Sequence, residues 1–203
     1  MRAVPLNRYA VFFSLVTAGL FGDLATKHWI FARLGMPRPG AKPWWLLEDV
    51  CGFQTNLNEG ALFGMGQGMV ILFAALSVAA AVGIIFWLFY AGAARDWMLT
   101  VALAAVTAGI LGNLYDRLGL HGLRWQWSDG RHAPGDPVYA VRDWILVMIG
   151  KWPWPTFNIA DSMLVCGAAV LVWHAFSTGS QHRAPGACPK TTAGPRSEAP
   201  AEK

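Results

Sequence analysis

Asp23, Asp116, Asp143 and Asp161 are the side chains in this sequence best suited to chemistry. Two carboxylates held close cannot both ionise, so one keeps its proton near neutral pH while its partner serves as a base. The ionised member of such a pair deprotonates a water and the protonated member donates to a carbonyl oxygen, so an amide can be hydrolysed without a nucleophilic Ser or Cys. Asp143 and Asp161 can converge without strain if the first sits on a surface segment and the second on the opening turns of a helix. Asp116 begins the same connection and is a competing partner.

The elements that must position these acids follow from hydropathy. Residues 69–94 and 97–115 carry no charge, 157–176 carry only Asp161, and 10–34 form a longer run spiked with Asp23 and Lys27. Each is close to or above the roughly 20 residues that cross a hydrocarbon core. The sequence therefore predicts spans at about 10–34, 69–94, 97–117 and 157–176, with connections 35–68 and 118–156 on one side of the membrane. Four antiparallel spans bring Asp23, Asn58, Asp116, Asp143 and Asp161 to, or near, one face. Ionisable groups at that depth are costly and mark functional sites. The plainer readings are that Asp23 pairs with Lys27 one turn away, that Lys27 snorkels to the interface, and that Asn113 and Asn158 bond across the bundle.

Composition fits a membrane protein: 55% hydrophobic, 14% charged, eleven Trp and a mean hydropathy of +0.37. The net charge of +4 does not imply nucleic acid, because the basic residues are dispersed over loops and tail and suit anionic lipid headgroups instead. Arg2 and Arg8 precede an apolar run, yet no small-x-small cleavage site follows, so the first segment is read as a retained span. Cys51, Cys166 and Cys188 are too dispersed for a disulfide framework. Seven Lys and Arg fall on the face holding the termini and eight on the other, which leaves the orientation open.

Pro37, Pro39 and Pro43 exclude helix at the start of the first connection, and Trp44 to Leu57 has the residues of a short hairpin turning near Cys51-Gly52. Trp44 and Trp45 suit the interfacial aromatic belt or a substrate platform. In the second connection the apolar stretch Trp144–Gly150 is too short to span and is expected to lie in the interface as a surface helix. His121, Asp129, His132 and Asp136 have no metal-ligand spacing, so no metal is expected. Residues 177–203 have the composition of a disordered tail. The fold class is thus an all-α membrane protein, a four-transmembrane-helix bundle over residues 1–176 with a small β-sheet and a surface helix.

Five ordered blocks carry a resemblance: Asp-Leu-Ala-Thr-Lys at 23–27, Asn-Glu-Gly-Ala-Leu-Phe-Gly at 58–64, Gly-Asn-Leu-Tyr-Asp-Arg at 112–117, Val-Arg-Asp-Trp-Ile at 141–145 and Phe-Asn-Ile-Ala-Asp-Ser at 157–162. Together they resemble the signal peptidase II family. The resemblance implies that Asp143 and Asp161 are a catalytic dyad and that Asn58, Asn113, Arg117 and Asn158 line the site. It places Asp23 and Lys27 as a polar pair in the first helix and Asp116 in support, beside Arg117. It further implies an aspartic endopeptidase of the bacterial inner membrane that removes signal peptides from diacylglyceryl-modified prolipoproteins, with cytoplasmic termini and a periplasmic site. The expected partners are lipid-modified precursors and membrane lipid, met by a monomer without a cofactor. The chain departs from the family in an insert, roughly Leu120 to Asp136, where relatives connect the blocks more briefly. A proton-coupled transporter is the alternative, and it would need carboxylates stepping through the membrane rather than gathered at one face. A non-catalytic scaffold would leave the paired acids unexplained.

Overall fold

The computed structural model describes residues 3–60, 65–128 and 130–181. Its first helix, α1 (Leu6–Leu34), leads into a hairpin of β1 (Trp44–Leu47) and β2 (Cys51–Asn58). Helix α2 (Val70–Ile85) runs on through a π-turn at Phe86–Tyr90, and α3 (Trp97–Arg117) returns across the bundle. Strands β3 (Val141–Ile149) and β4 (Trp152–Pro153) then precede α4 (Ile159–Gln181). Four helical stretches, Leu6–Leu34, Val70–Tyr90, Trp97–Arg117 and Ile159–Ser177, are long and apolar enough to cross a membrane. Their outward faces carry Ile71, Trp173 and Phe176 in the open, as spans that meet lipid do.

Helix α3 is the hub, with more than half of its most apolar stretch buried. Apolar attraction between helices is weak in lipid, so close approach of small residues supplies the packing instead. Ala104, Ala108 and Gly112 repeat at four-residue spacing along α3 and are all buried. A methyl group on Gly109 would meet the Ala160 carbonyl and would lie 2.7 Å from Leu164 Cγ; one on Gly112 would lie 2.5 Å from Asp23 Oδ2. These glycines let α1 and α4 close on α3 at the level of the acids. At its start, α3 is capped by Asp96, whose Oδ1 accepts from the amides of Met98 (2.7 Å) and Leu99 (3.1 Å).

The sheet is antiparallel in the order β1-β2-β3-β4. Its hairpin turns at Glu48–Val50, slightly before the expected Cys51-Gly52, with Asp49 in the left-handed region at φ 56°. The expected surface helix is a strand. Residues 144–149 are apolar, with Ile145, Val147 and Ile149 β-branched, and the exposed edge of β2 offers the strand backbone partners that a helix lying in the interface would forgo. The register pairs Asn56 with Asp143 and Asn58 with Val141, so the sheet sets the height of Asp143 over the bundle. Phe157 binds back to β3 through Ile145 N to Phe157 O (2.8 Å) and Phe157 N to Ile145 O (3.2 Å), which ties the start of α4 to the same strand. The insert is also ordered, as a paired arm: Val138 N donates to Leu123 O (3.1 Å) and Trp125 N to Asp136 O (2.9 Å).

Helix α4 continues to Gln181, past the point where a tail was expected to begin; residues 182–203, Cys188 included, lie outside the described residues. Gly109→Ala and Gly112→Ala are each expected to destabilise the protein by about 1–3 kcal/mol, the usual cost of overpacking. Gly83→Ala, where an added methyl meets nothing within 4 Å, should leave the Tm of detergent-purified protein unchanged or higher.

Candidate active site

Asp143 and Asp161 come from different elements and are joined by two asparagines. Asn158 Nδ2 donates to Asp143 Oδ1 (2.7 Å), and the Asn158 amide donates to Asp161 Oδ2 (3.2 Å). In return Asn158 Oδ1 accepts from the Asp161 amide (2.8 Å), so residues 158 and 161 form a reciprocal cap at the start of α4. Asn113, from α3, donates to Asp161 Oδ1 (2.8 Å), while its own Oδ1 accepts from Asn158 Nδ2 (3.2 Å) and Lys27 Nζ (3.1 Å). Asn58, at the end of β2, donates to Asp143 Oδ2 across 3.4 Å. Asp143 is thus held by side chains from a strand and a helix cap, and Asp161 by its own helix and α3.

Beneath the pair lies a buried ion network. Lys27 Nζ sits 2.7 Å from Asp23 Oδ2 and 3.1 Å from Asp116 Oδ2, with all three side chains fully buried. Asp116 Oδ1 also accepts from Arg142 Nε (2.9 Å) and Nη2 (2.8 Å), and Asp116 Oδ2 from the Arg142 amide (3.0 Å). Asp23 Oδ1 accepts from the Ala160 amide (2.9 Å) at the first turn of α4. Buried charges persist only where each is paired and hydrogen-bonded, and the pairing here runs through α1, α3, β3 and α4. The hydrogen-bond partner of Asp116 is Arg142, not the Arg117 beside which it was expected in support. Side chains alternate along a strand, so Arg142 faces Asp116 and the bundle while Asp143 faces the asparagines. Arg117 instead donates Nη2 to the Gly60 carbonyl (3.0 Å) and lies over Phe73.

Lys27 pairs with Asp23 and Asp116 and Arg142 pairs with Asp116, whereas Asp143 is held by the asparagines. Burial, reinforced by the charge of Asp161, pushes the Asp143 carboxyl up to about 8, against the lowering effect of its bonds from Asn158 and Asn58 and of Lys27. Asp143 accordingly holds a proton at neutral pH.

Both acids line a mainly apolar cleft of about 600 Å³ that Ile110, Leu164 and Val165 wall on the helix side and Trp154 to Phe157 on the sheet side. Asn58, Asn113, Arg117 and Cys166 also line it. Within the insert, His121 Nδ1 accepts from the Leu123 amide, His132 Nε2 meets Glu59 Oε1 at 2.8 Å, and Asp136 Oδ2 accepts from the Ala133 amide. Asp129 lies outside the described residues.

Spanning helices that hold an asparagine-bridged carboxylate pair at the mouth of an apolar cleft define a membrane-embedded aspartic hydrolase. The family model for signal peptidase (SPase) II matches residues 15–177, and the chain belongs to that family. It is 48% identical over 179 residues to the lipoprotein signal peptidase of Rhodopirellula baltica, covering 86% of this chain and 75% of that one. It is 33% identical to the lipoprotein signal peptidase of Rhodococcus jostii, over 83% and 74% of the two chains. A solved bacterial membrane enzyme shares the fold with a TM-score of 0.66 at 20% identity, over 88% of this chain and 94% of that one.

Asp116→Asn is expected to cost about 3–5 kcal/mol, because it strands a buried arginine. Asp143→Asn should fold well. Between its ordinary value of 3.8 and about 8, folded Asp143 keeps a proton that the unfolded chain has released, so stability falls as pH rises through that window. Asp143→Asn should flatten this decline when Tm is followed against pH; an unaltered slope would refute the assignment.

Proposed function

We propose that this chain is the aspartic endopeptidase that removes signal peptides from diacylglyceryl-modified prolipoproteins, cutting on the N-terminal side of the lipidated cysteine. The observation that carries the reading is the Asp143–Asp161 pair, bridged by Asn158 and Asn113, at the head of an apolar cleft between spans. Membership of the signal peptidase II family supports it. Asp161 takes a proton from a water whose oxygen bonds to the scissile carbonyl carbon, while Asp143 gives its proton to the carbonyl oxygen. The C–N bond then breaks: the cysteine nitrogen receives the proton from Asp161, and Asp143 recovers its own from the collapsing diol. Asn158, Asn113 and Asn58 orient the two carboxyls, Arg117 fixes the backbone at Gly60 beside the site, and Asp23, Lys27 and Asp116 hold the helices on which the pair rests. No step calls for a cofactor.

The cleft suits such a substrate, since acyl chains and signal helix can stay in lipid while the scissile bond reaches water at the outer end of the bundle. In this reading the protein works as a monomer in the bacterial inner membrane, with cytoplasmic termini and residues 35–68 and 118–156 periplasmic. The gathering of the acids at one end of the bundle favours hydrolysis over a transport relay. A lipidated peptide offered to purified protein is the test. Asp143→Asn and Asp161→Asn should each abolish cleavage, and the double variant should be no worse, because the two act as one unit. The unlipidated peptide should be cleaved poorly, since each buried methylene contributes about 0.8 kcal/mol. Cleavage by Asp143→Asn near the wild-type rate, or equal rates on both peptides, would refute the proposal.

A further inference from the structure

Residues 58–60, where β2 ends beside the dyad, are held from two sides. Towards the dyad, Asn58 Nδ2 donates to Asp143 Oδ2 across 3.4 Å and the Gly60 carbonyl accepts from Arg117 Nη2. Asn58 Oδ1 in turn accepts from the Gly60 amide (3.0 Å), which closes a turn with Glu59 at its middle. Towards the insert, Glu59 is buried, with Arg131 Nη1 3.2 Å from Oε2 and His132 Nε2 2.8 Å from Oε1. His132 is stacked on Trp125, with ring centroids 4.3 Å apart. Trp125 and Leu57 both pack on the buried cluster of Met36, Val138 and Ala140. The insert is thereby tied to the chain on either side of Asn58, to Leu57 through the shared cluster and to Glu59 through two polar contacts. Its own ladder, Leu123 with Val138 and Trp125 with Asp136, keeps that grip in place.

We propose that Glu59 is a positioning residue: braced by Arg131 and His132 of the insert, it holds the turn that keeps the Asn58 amide on Asp143. The β2–β3 ladder ends at Asn58, paired with Val141, so beyond that point the sheet no longer fixes the chain. The bond to be preserved is 3.4 Å long, near the limit of a hydrogen bond, and a small shift of the turn removes it. A buried carboxylate needs partners, and with both oxygens of Glu59 engaged the contact has one geometry. The effect on Asp143 has a definite sign. The bonds from Asn58 and Asn158 and the charge of Lys27 favour its ionised form, against burial and Asp161, and Arg117 lies in the field of both carboxylates. Losing the Asn58 bond therefore raises the titration of Asp143 further, whereas losing a carboxylate that acted only through its field would lower it. The part Glu59 plays in turnover rests on the peptidase reading above; its effect on the Asp143 proton does not.

The test follows the carbonyl band of protonated Asp143 against pH, by infrared difference spectroscopy, in full-length wild type, Glu59→Ala, Asn58→Ala and the double variant. Each single variant should raise the midpoint by about half to one pH unit, the scale of one net hydrogen bond. The double variant should match Asn58→Ala, because the first residue acts through the second. The paired variant Arg131→Ala/His132→Ala, which alters only the insert's side of the contact, should reproduce the rise, and it carries the test if Glu59→Ala does not fold. On a lipidated peptide Glu59→Ala should lower kcat by about three- to tenfold with KM unchanged. A midpoint unmoved or lowered in Glu59→Ala overturns the proposal, as does a change in KM alone. A rise that persists when Glu59→Ala or the paired variant is added to Asn58→Ala overturns it too, since the effect then bypasses Asn58. Failure of wild type to cleave the peptide overturns the peptidase reading, and the infrared midpoints still decide the role of Glu59.

Discussion

Everything at the Asp143–Asp161 end of this bundle hangs on the contact between Lys27 and the carboxylates of Asp23 and Asp116, fully buried at 2.7 and 3.1 Å. An ammonium out of water is tolerable only with such partners, and each partner is in turn anchored to another element. Asp23 receives the Ala160 amide and so fixes the height of α4. Asp116 grips both the guanidinium and the amide of Arg142 and so fixes the start of β3. Asp161 and Asp143 sit one residue beyond these anchors. The ion network does no chemistry in this account; it sets the positions of two strands of chain that the chemistry needs side by side.

The same network explains why one acid of the pair stays protonated. A negative charge at Asp143 is opposed by burial and by Asp161, and the bonds from Asn158 and Asn58 and the charge of Lys27 offset this only in part. Asparagine is well chosen as the bridge: Asn158 and Asn113 each offer a donor and an acceptor and add no charge that would pull the proton from the pair. Small residues complete the arrangement. With any side chain at Gly112 the carboxylate of Asp23 could not approach α3 as it does.

Much of this was legible in the sequence because the membrane magnifies the signal of a polar residue. Asp23, Lys27, Asp116 and Asp161 stand out against runs that otherwise carry no charge, and antiparallel topology alone gathers them at one end. The four spans were readable for the same reason. The partners were harder to read. Asp116 was expected beside Arg117, its neighbour in sequence, yet successive residues on a helix point about 100° apart and Asp116 faces inward to Arg142. The stretch after Asp143 was expected as a surface helix because a short apolar run has no periodicity to separate helix from strand; the free edge of β2 decides for strand, and that edge is a tertiary fact. Glu59 and the insert were missed together, since a loop rich in Gly and Pro gives no sign that Arg131 and His132 return to a carboxylate some seventy positions earlier in the chain.

The proton on Asp143 is the central claim, and infrared difference spectroscopy of the full-length protein reads it directly through the carbonyl stretch of a protonated carboxyl. The expected result is a band present at neutral pH, lost with a midpoint of about 8 and absent from Asp143→Asn. A wild-type protein that shows no such band at neutral pH, or a band that survives Asp143→Asn, would contradict the account.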